Sequence, residues 1–376
     1  MFLTRRLNAL LQSAAPRRAR LRRGCTLGLV IGLGAALAAC SGSSDEEEAA
    51  APQGAGGPPP GQSLIQEDAI RDIPVTQVFE EAGGGRAIGF LPDAETVWAG
   101  NFVATVRDGG MDLYNSDGEI IANMSGPRLN GVATAPNFAL RGVSLPLVIS
   151  VDANTDQVRA YALSRQEETP SLFDLPLSPI EIEGGAASVC VYEEGPGYVD
   201  IVVVGQMARA GIWRISDTGG ELVNASQRSG FTLDAPARAC AVSGADIIFA
   251  SPSAGLALVN ADGETLAERA DPVVNVAYGD FFGTRRILVT TGENPIQLYD
   301  PQTLEPLEQI ELVTALSAEG VELPGPLAVS RESFGGVYRT GVLIVEDRAS
   351  GTLKAVARDT FARQLLAPDE GTSETR

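Results

Sequence analysis

Histidine is absent from this chain of 376 residues, and Lys354 is its only lysine. The absence of histidine excludes Ser-His-Asp and Cys-His catalysis, histidine-ligated zinc and imidazole acid–base chemistry. Schiff-base and lysine-activated mechanisms have Lys354 as their single candidate, and this residue lies in a strand-like run near the C-terminus. The composition therefore excludes every imidazole-dependent class of enzyme.

Long apolar runs are scarce, and the one near the N-terminus, residues 25–39, is shorter than the roughly twenty residues that a bilayer-spanning helix needs. It ends in small residues and follows an arginine-rich segment without acidic residues. This pattern is typical of a bacterial secretory signal, with a transmembrane anchor as the weaker alternative. The tetrapeptide Leu37-Ala38-Ala39-Cys40 resembles the lipobox of bacterial lipoproteins, whose cysteine is acylated. The resemblance implies a signal peptide over 1–39 and a lipid at Cys40. Ser41, rather than aspartate, after the cysteine implies a Gram-negative outer membrane.

Four cysteines are present, and two of them, Cys190 and Cys240, remain free of the predicted signal and lipid attachment. An extracytoplasmic location permits a disulfide between them. They fall at equivalent positions of consecutive repeats, described below, and this favours a separation too large for easy bridging. We therefore expect two buried free thiols, with a disulfide as the alternative.

Positive charge is also in short supply, since 28 Lys and Arg residues face 48 Asp and Glu residues. The net charge is −20, and loss of seven arginines with residues 1–39 makes the mature chain more negative still. Such a field repels nucleic-acid phosphates and anionic lipid headgroups, so nucleic acid is not an expected partner. It also opposes a polyanionic ligand unless local cations or bound metal ions reverse its sign.

Beyond residue 70 the apolar residues alternate or form short runs with many β-branched members, punctuated by Gly, Pro, Asn and Asp. This pattern predicts an all-β domain, with residues 314–320 as the best short helical candidate. An apolar–aromatic strand recurs six times, at Leu113-Tyr114, Ala160-Tyr161, Ile212-Trp213, Leu258-Val259, Leu298-Tyr299 and Leu353-Lys354. An apolar second strand precedes each, at residues 102–104, 147–151, 201–204, 247–250, 287–290 and 342–345.

Six units of about 48 residues match the four-stranded blade of a β-propeller rather than a β-sandwich. We predict a six-bladed propeller over 70–366, in which residues 70–81 supply a closing strand. Residues 40–69 have the polar, Gly- and Pro-rich composition of a solvated tether, and 367–376 form a disordered tail. Trp98 and Trp213 are expected in blade cores. The Asp-Gly pairs at Asp117 and Asp262 are expected in hairpin turns, and residues 152–156 in a further turn.

The colinear motifs over residues 70–365 resemble the β-propeller phytases. The matching segments are Asp93-Ala94-Glu95-Thr96-Val97-Trp98, Arg107-Asp108-Gly109-Gly110-Met111, Leu113-Tyr114-Asn115-Ser116-Asp117-Gly118, Arg128-Leu129-Asn130-Gly131-Val132-Ala133 and Gly341-Val342-Leu343-Ile344-Val345-Glu346-Asp347. The resemblance implies a six-bladed fold and an acidic central cleft, where several Ca²⁺ ions held by carboxylates bind phosphate and activate water.

Many of the carboxylates that this resemblance implies are replaced. The family's acidic positions are occupied here by Ala94, Ala133, Arg238, Ser251-Pro252, Val274-Asn275 and Pro324. Asp93 and Asp347 survive as candidate metal ligands, and Asp93, Arg107 and Arg128 as candidate catalytic residues. Since Ca²⁺ takes about six to eight oxygen ligands, these survivors are too few for a metal cluster.

The surviving polar residues suggest a ligand site. Arg107, Arg128 and Asn130 are its candidates, because arginine makes bidentate contacts to phosphate or carboxylate. Salt bridges to neighbouring acids are the alternative for both arginines, and a turn is the alternative for Asn130. The sequence thus predicts an envelope-anchored binding or accessory module with no expected cofactor, which binds a small phosphorylated ligand or docks an envelope protein. The alternative is a calcium-dependent, 3-phytase-like phosphomonoesterase acting on inositol phosphates.

Overall fold

The computed structural model describes residues 70–79, 85, 87–93, 95–165 and 170–366, all within one compact unit that spans residues 63–376. The predicted signal peptide, Cys40, the tether over 40–69 and the tail over 367–376 lie outside these residues. Their assignments remain predictions.

Six sheets, the blades, contain the described strands, and each blade is an antiparallel sheet of four strands, to which a fifth strand is added in one blade. Two strands precede the first blade, β1 (Ile70–Pro74) and β2 (Gln77–Phe79). Blade one contains β3 (Ile88–Leu91), β4 (Asn101–Thr105), β5 (Met111–Tyr114) and β6 (Ile120–Met124). Blade two contains β7 (Leu129–Leu140), β8 (Val143–Asp152), β9 (Gln157–Ser164) and β10 (Ser171–Leu175). Blade three contains β11 (Ala186–Gly195), β12 (Tyr198–Gly205), β13 (Arg209–Ser216) and β14 (Asn224–Thr232).

The last three blades repeat this order. Blade four contains β15 (Ala239–Ser243), β16 (Asp246–Ser251), β17 (Gly255–Val259) and β18 (Thr265–Arg269). Blade five contains β19 (Asn275–Phe281), β20 (Thr284–Thr290), β21 (Ile296–Tyr299) and β22 (Pro306–Val313). Blade six contains β23 (Pro324–Ser330), β24 (Val342–Asp347) and β25 (Thr352–Ala357), and the helix α1 (Arg358–Leu366) follows. The predicted six-bladed, all-β propeller is confirmed, and every predicted second strand falls on the second strand of its blade.

The ring is closed by the segment before blade one. β2 pairs antiparallel with β25 and completes blade six, and the chain then continues into β3 of blade one. β1 pairs parallel with β22 and adds a fifth strand to blade five. The predicted closing strand over 70–81 therefore divides into two strands on two blades.

Apolar side chains from facing blades form the core between them, because alternate residues of each strand point to opposite faces of a blade. At the closure, Phe79, Phe102 and Tyr114 are buried together, with ring centroids 5.6 and 5.8 Å from that of Phe79. Trp213 is buried as predicted. Trp98 is 72% exposed, so its predicted core position is wrong. It lies in a 3-10 turn between β3 and β4, and Phe334 packs on Phe102 instead.

The helical prediction over 314–320 is wrong, since these residues form turns with an isolated bridge between Ala315 and Ala318. The helix forms instead in α1, whose Phe361, Ala362 and Leu365 are buried against blade five. Phe361 stacks on Phe281 with ring centroids 4.2 Å apart. Among the described residues, no helix has both the length and the apolar character required to cross a bilayer.

The predicted free thiols of Cys190 and Cys240 are contradicted by a disulfide between them. Their Cα atoms are 5.9 Å apart, within the range that a disulfide bridges. The two cysteines lie on β11 and β15, the innermost strands of neighbouring blades. Equivalent positions in consecutive repeats are close here because the inner strands converge around the axis.

The predicted turns are confirmed. Asn115 and Asn260 each hold a turn by accepting backbone N–H bonds, and Gly118 and Gly263 follow Asp117 and Asp262 with φ of +77° and +88°. Residues 153–156 form a turn in which the Asp156 N–H donates to the Asp152 carbonyl.

Candidate functional site

A cavity of about 510 Å³ lies where the six inner strands meet, within the size range of small-molecule sites. Its wall is mostly small and apolar, and its polar members are Asn130, Thr134, Ser188, Arg238, Asn275 and Tyr278. Asn130 lies on strand β7 and lines the cavity, so the predicted alternative of a turn is wrong. Its contact with a ligand stays a prediction.

The propeller has two faces that differ in chemistry. The amino-end face carries the first residues of the inner strands and the last residues of the second strands, which run antiparallel to them. The carboxyl-end face carries the turns that join each inner strand to its second strand. Arg238 and Asn275, at the starts of their inner strands, therefore place the cavity at the amino-end face.

A second cavity of about 330 Å³ adjoins the first at the amino-end face and shares two of its residues. Its lining comprises Gly85, Arg107, Asn275, Pro326, Glu346 and Arg348. Asn275 and Pro326 belong to both cavities. We call the two together the channel mouth.

The single carboxylate that lines the channel mouth, among the described residues, is almost completely buried. Glu346 is 1% exposed and accepts hydrogen bonds from the Gly85 N–H at 2.9 Å and from Arg107 Nη2 at 3.5 Å. Burial raises the pKa of Glu346, and these bonds and Arg348 offset the rise only in part. Arg107 therefore forms the predicted salt bridge while more than half of its side chain stays exposed.

Arginines dominate the charge at the channel mouth. Arg238 and Arg348 are exposed, and neither forms an ion pair or a side-chain hydrogen bond with another described residue. With Arg107 they place three cations beside one buried carboxylate, in a protein whose net charge is −20. Local charge at the channel mouth is therefore opposite in sign to that of the whole molecule, as an anion site requires.

Glu346→Gln is expected to change how stability depends on pH. Because the folded-state pKa of Glu346 is raised, the wild type loses stability as pH rises from the unfolded-state pKa through the folded-state pKa. A neutral glutamine keeps an oxygen for the Gly85 N–H and removes the buried charge. In thermal melts from pH 4 to pH 8, the melting temperature of the variant should rise relative to that of the wild type as pH rises. A constant difference across this range would contradict the assignment.

Asp93 and Asp347, the predicted metal ligands, lie on opposite faces. Asp93 follows β3 on the carboxyl-end face, where its Oδ2 is 2.9 Å from Arg165 Nη1 and its Oδ1 accepts the Glu95 and Thr96 N–H groups. Asp347 ends β24, which pairs with the start of β23 on the amino-end face. The two carboxylates therefore cannot share an ion.

Both carboxylate oxygens of Asp347 are occupied by partners from two loops, and Oδ2 also lies 3.9 Å from Lys354 Nζ. Its Oδ1 accepts the N–H groups of Glu322, Leu323 and Ala349, and its Oδ2 accepts the Ser350 hydroxyl. Burial opposes ionisation of Asp347, but these bonds outweigh it and lower the pKa. Across the described part of the chain, no three acidic or cysteine side chains gather in a metal-binding arrangement. The donor set does not fit a multi-calcium cluster.

The predicted ligand residues fall on one face. Arg107, Arg128 and Asn130 all lie at the amino-end face, but Arg128 is exposed there and does not line either cavity. Sequence reasoning missed Arg348 and Asn275 as ligand candidates. Their signal was positional: Arg348 follows the end of a second strand and Asn275 begins an inner strand, and both ends meet at the same face.

The comparisons with known proteins concern the fold. No family model matches the sequence. No curated protein matches it. Similar solved structures include two crystals of BBS1N in complex with ARL6DN, soaked with mercury and with lead, at 11% identity and TM-scores of 0.44 and 0.45. The match covers 72% of this chain and 76% and 78% of those chains.

Proposed function

We propose that this chain is an envelope-anchored propeller that binds a small phosphorylated ligand at the channel mouth. The observation that carries the proposal is the cluster of Arg107, Arg238 and Arg348 around two adjoining cavities in an otherwise acidic protein. Guanidinium groups make bidentate hydrogen bonds to phosphate and carboxylate oxygens. Arg107 forms an ion pair with Glu346, and Arg348 acts electrostatically on the same carboxylate. Arg238 forms no ion pair with another described residue. Asn130 and Asn275 also line the cavity, and the amide of Asn275 is held by a hydrogen bond from its Nδ2 to Thr290 Oγ1 at 3.0 Å.

The proposed role is binding rather than hydrolysis. A phytase-like scaffold whose carboxylates have been replaced keeps the cleft and loses the means to hold several Ca²⁺ ions. Arg238 stands where the resemblance implies a metal ligand, so phosphate would meet a guanidinium there. The protein would then act as a binding or accessory module without a cofactor, and its ligand would be an inositol phosphate or a related polyanion.

Calorimetric titration with inositol hexakisphosphate tests the proposal. The double variant Arg238→Ser/Arg348→Ser should bind about 100-fold more weakly, because each charge-assisted hydrogen bond contributes at least a factor of ten. Arg331→Ser/Arg339→Ser is the matched control, since it removes the same charge from the carboxyl-end face. Glu346→Gln should bind more tightly, because it releases Arg107. Equal affinities for the two double variants would contradict the proposal.

Calcium distinguishes the alternative enzymatic function. A calcium-dependent phosphomonoesterase would release phosphate from inositol hexakisphosphate when calcium is added, and Asp93→Ala would remove any calcium-induced rise in melting temperature. We expect neither phosphate release nor a calcium-dependent melting shift. Calcium-dependent release at the rate of an active family member would restore the enzymatic function.

The lipid anchor is tested separately. Cys40→Ala should move the protein from the membrane fraction to the soluble fraction and abolish incorporation of labelled palmitate. Fractionation of wild-type cells should place the protein in the outer membrane. Wild-type protein recovered in the soluble fraction without label would contradict the anchor, whereas the calorimetric result would be unaffected.

A further inference from the structure

The carboxyl-end face carries exposed apolar side chains on four consecutive blades. Trp98 of blade one, Val143 of blade two, Phe282 of blade five and Val337 of blade six are 72%, 48%, 55% and 57% exposed. Each lies in or beside the turn between an inner strand and its second strand. We call these four side chains the apolar arc.

Buried side chains and hydrogen bonds fix the turns that carry the apolar arc. Phe334 is fully buried against Phe102, with ring centroids 4.6 Å apart, and its neighbour Gly335 lies beside Trp98. Arg358 joins the turns of blades five and six by donating to the Asp280 carbonyl at 2.6 Å and to the Thr340 carbonyl at 2.9 Å. The guanidinium also lies 4.3 Å from the centre of the Phe282 ring. Trp98 and Phe282 therefore lie against ordered, packed residues.

The chain enters the propeller from the side of the apolar arc. β1 runs parallel to β22, and β22 leads to the start of β23 at the amino-end face. The beginning of β1 therefore points toward the carboxyl-end face, and residues before Ile70 attach there. Ile70 and Leu366, at the free ends of β1 and α1, are 42% and 63% exposed, and Arg71 Nη1 joins these ends by donating to the Gln364 carbonyl. Two further apolar side chains thus lie on the side where the predicted tether arrives.

We propose that the apolar arc rests on the surface of the lipid bilayer that holds the anchor at Cys40. This proposal depends on the lipid anchor proposed above. Tryptophan and phenylalanine are favoured at the membrane interface, and the exposed Arg331 and Arg339 beside Val337 extend their stems along such a surface. The strongly negative chain excludes an anionic surface, so zwitterionic headgroups are the partner. The channel mouth then faces away from the membrane, open to its ligand.

Trp98 reports on this contact directly. The chain has two tryptophans, and Trp213 is only 7% exposed. In full-length protein carrying Trp213→Phe, the emission of Trp98 should shift to the blue on phosphatidylcholine vesicles, and brominated phosphatidylcholine should quench it. The wild type, measured in parallel, should show the same Trp98 quenching above an unquenched Trp213 background.

A tryptophan on the other face is the control. Leu316 is fully exposed in a loop at the amino-end face, so Leu316→Trp adds no buried side chain. It is combined with Trp98→Phe and with the same Trp213→Phe background used above. This variant should float with the vesicles and remain unquenched. Phe282→Ser/Val337→Ser should reduce quenching of Trp98 several-fold while flotation persists.

The outcomes separate the two proposals. Flotation with quenching of Trp98 alone supports docking of the apolar arc on the bilayer. Flotation without quenching overturns the docking and leaves the anchor, and it would indicate that an envelope protein covers the arc. If the wild-type chain fails to float, both the anchor and the docking are wrong. Ligand binding at the channel mouth is tested independently, by calorimetry.

Discussion

Phe79→Ala should lower the free energy of unfolding by about 3–5 kcal/mol, the cost of truncating a fully buried aromatic side chain. Phe79 is 0% exposed and packs on Phe102 and Tyr114, and Gly118 lies against its ring. Its strand, β2, is the one that joins blade six to blade one. The lost packing therefore weakens the closure of the ring as well as the local core. Urea denaturation followed by circular dichroism measures the effect.

Phe173→Ala is the matched control for this prediction. Phe173 lies on β10, the outer strand of blade two, and is 41% exposed. The same truncation should lower the free energy of unfolding by well under half as much there, since it leaves little cavity. If the two variants unfolded at the same urea concentration, the closing role of β2 would be contradicted.

Loss of the disulfide between Cys190 and Cys240 should lower the free energy of unfolding by about 4 kcal/mol. The bond closes a loop of 50 residues, and the chain-entropy treatment assigns this value to a loop of that length. It joins the inner strands of blades three and four beside the central cavity. Cys190→Ser/Cys240→Ser should therefore melt well below the wild type.

Reductant provides the control for the disulfide. Dithiothreitol should lower the melting temperature of the wild type toward that of Cys190→Ser/Cys240→Ser and leave the double variant unchanged. Thiol titration of denatured wild type should detect no free thiol from this pair before reduction. Two titratable thiols and an unchanged melt in reductant would restore the free-thiol assignment made from the sequence.

The strands could be predicted from the sequence because their signals are local. Each blade repeats an apolar second strand and an apolar–aromatic third strand, and burial of both blade faces requires that composition. Residues 147–151 and Trp213 illustrate this, since both are buried as expected. The helix α1 was missed because its apolar residues become informative only against Phe281 of blade five.

The site residues were harder to predict because closure of the six blades into a ring brings together residues that are distant in sequence. Asp93 and Trp98 resemble a family motif, yet they fall in the turn after β3, on the face opposite Asp347. Cys190 and Cys240 are fifty residues apart in sequence and bonded in space. Arg348 carries no sequence motif, and its role follows from the direction in which β24 ends. Strand direction determines the faces on which Asp93, Asp347 and Arg348 lie, and convergence of the inner strands brings the two cysteines together. A sequence motif encodes neither.

We propose that the arginines of the channel mouth, rather than calcium, hold an anion. Because calcium and tungstate precipitate together, one crystal of the propeller is soaked in tungstate and another in calcium, and anomalous scattering locates each ion. We expect a tungstate peak within hydrogen-bond distance of Arg238 or Arg348 and no calcium at the channel mouth. Ordered calcium ions in the central cavity, with no tungstate beside these arginines, would contradict it.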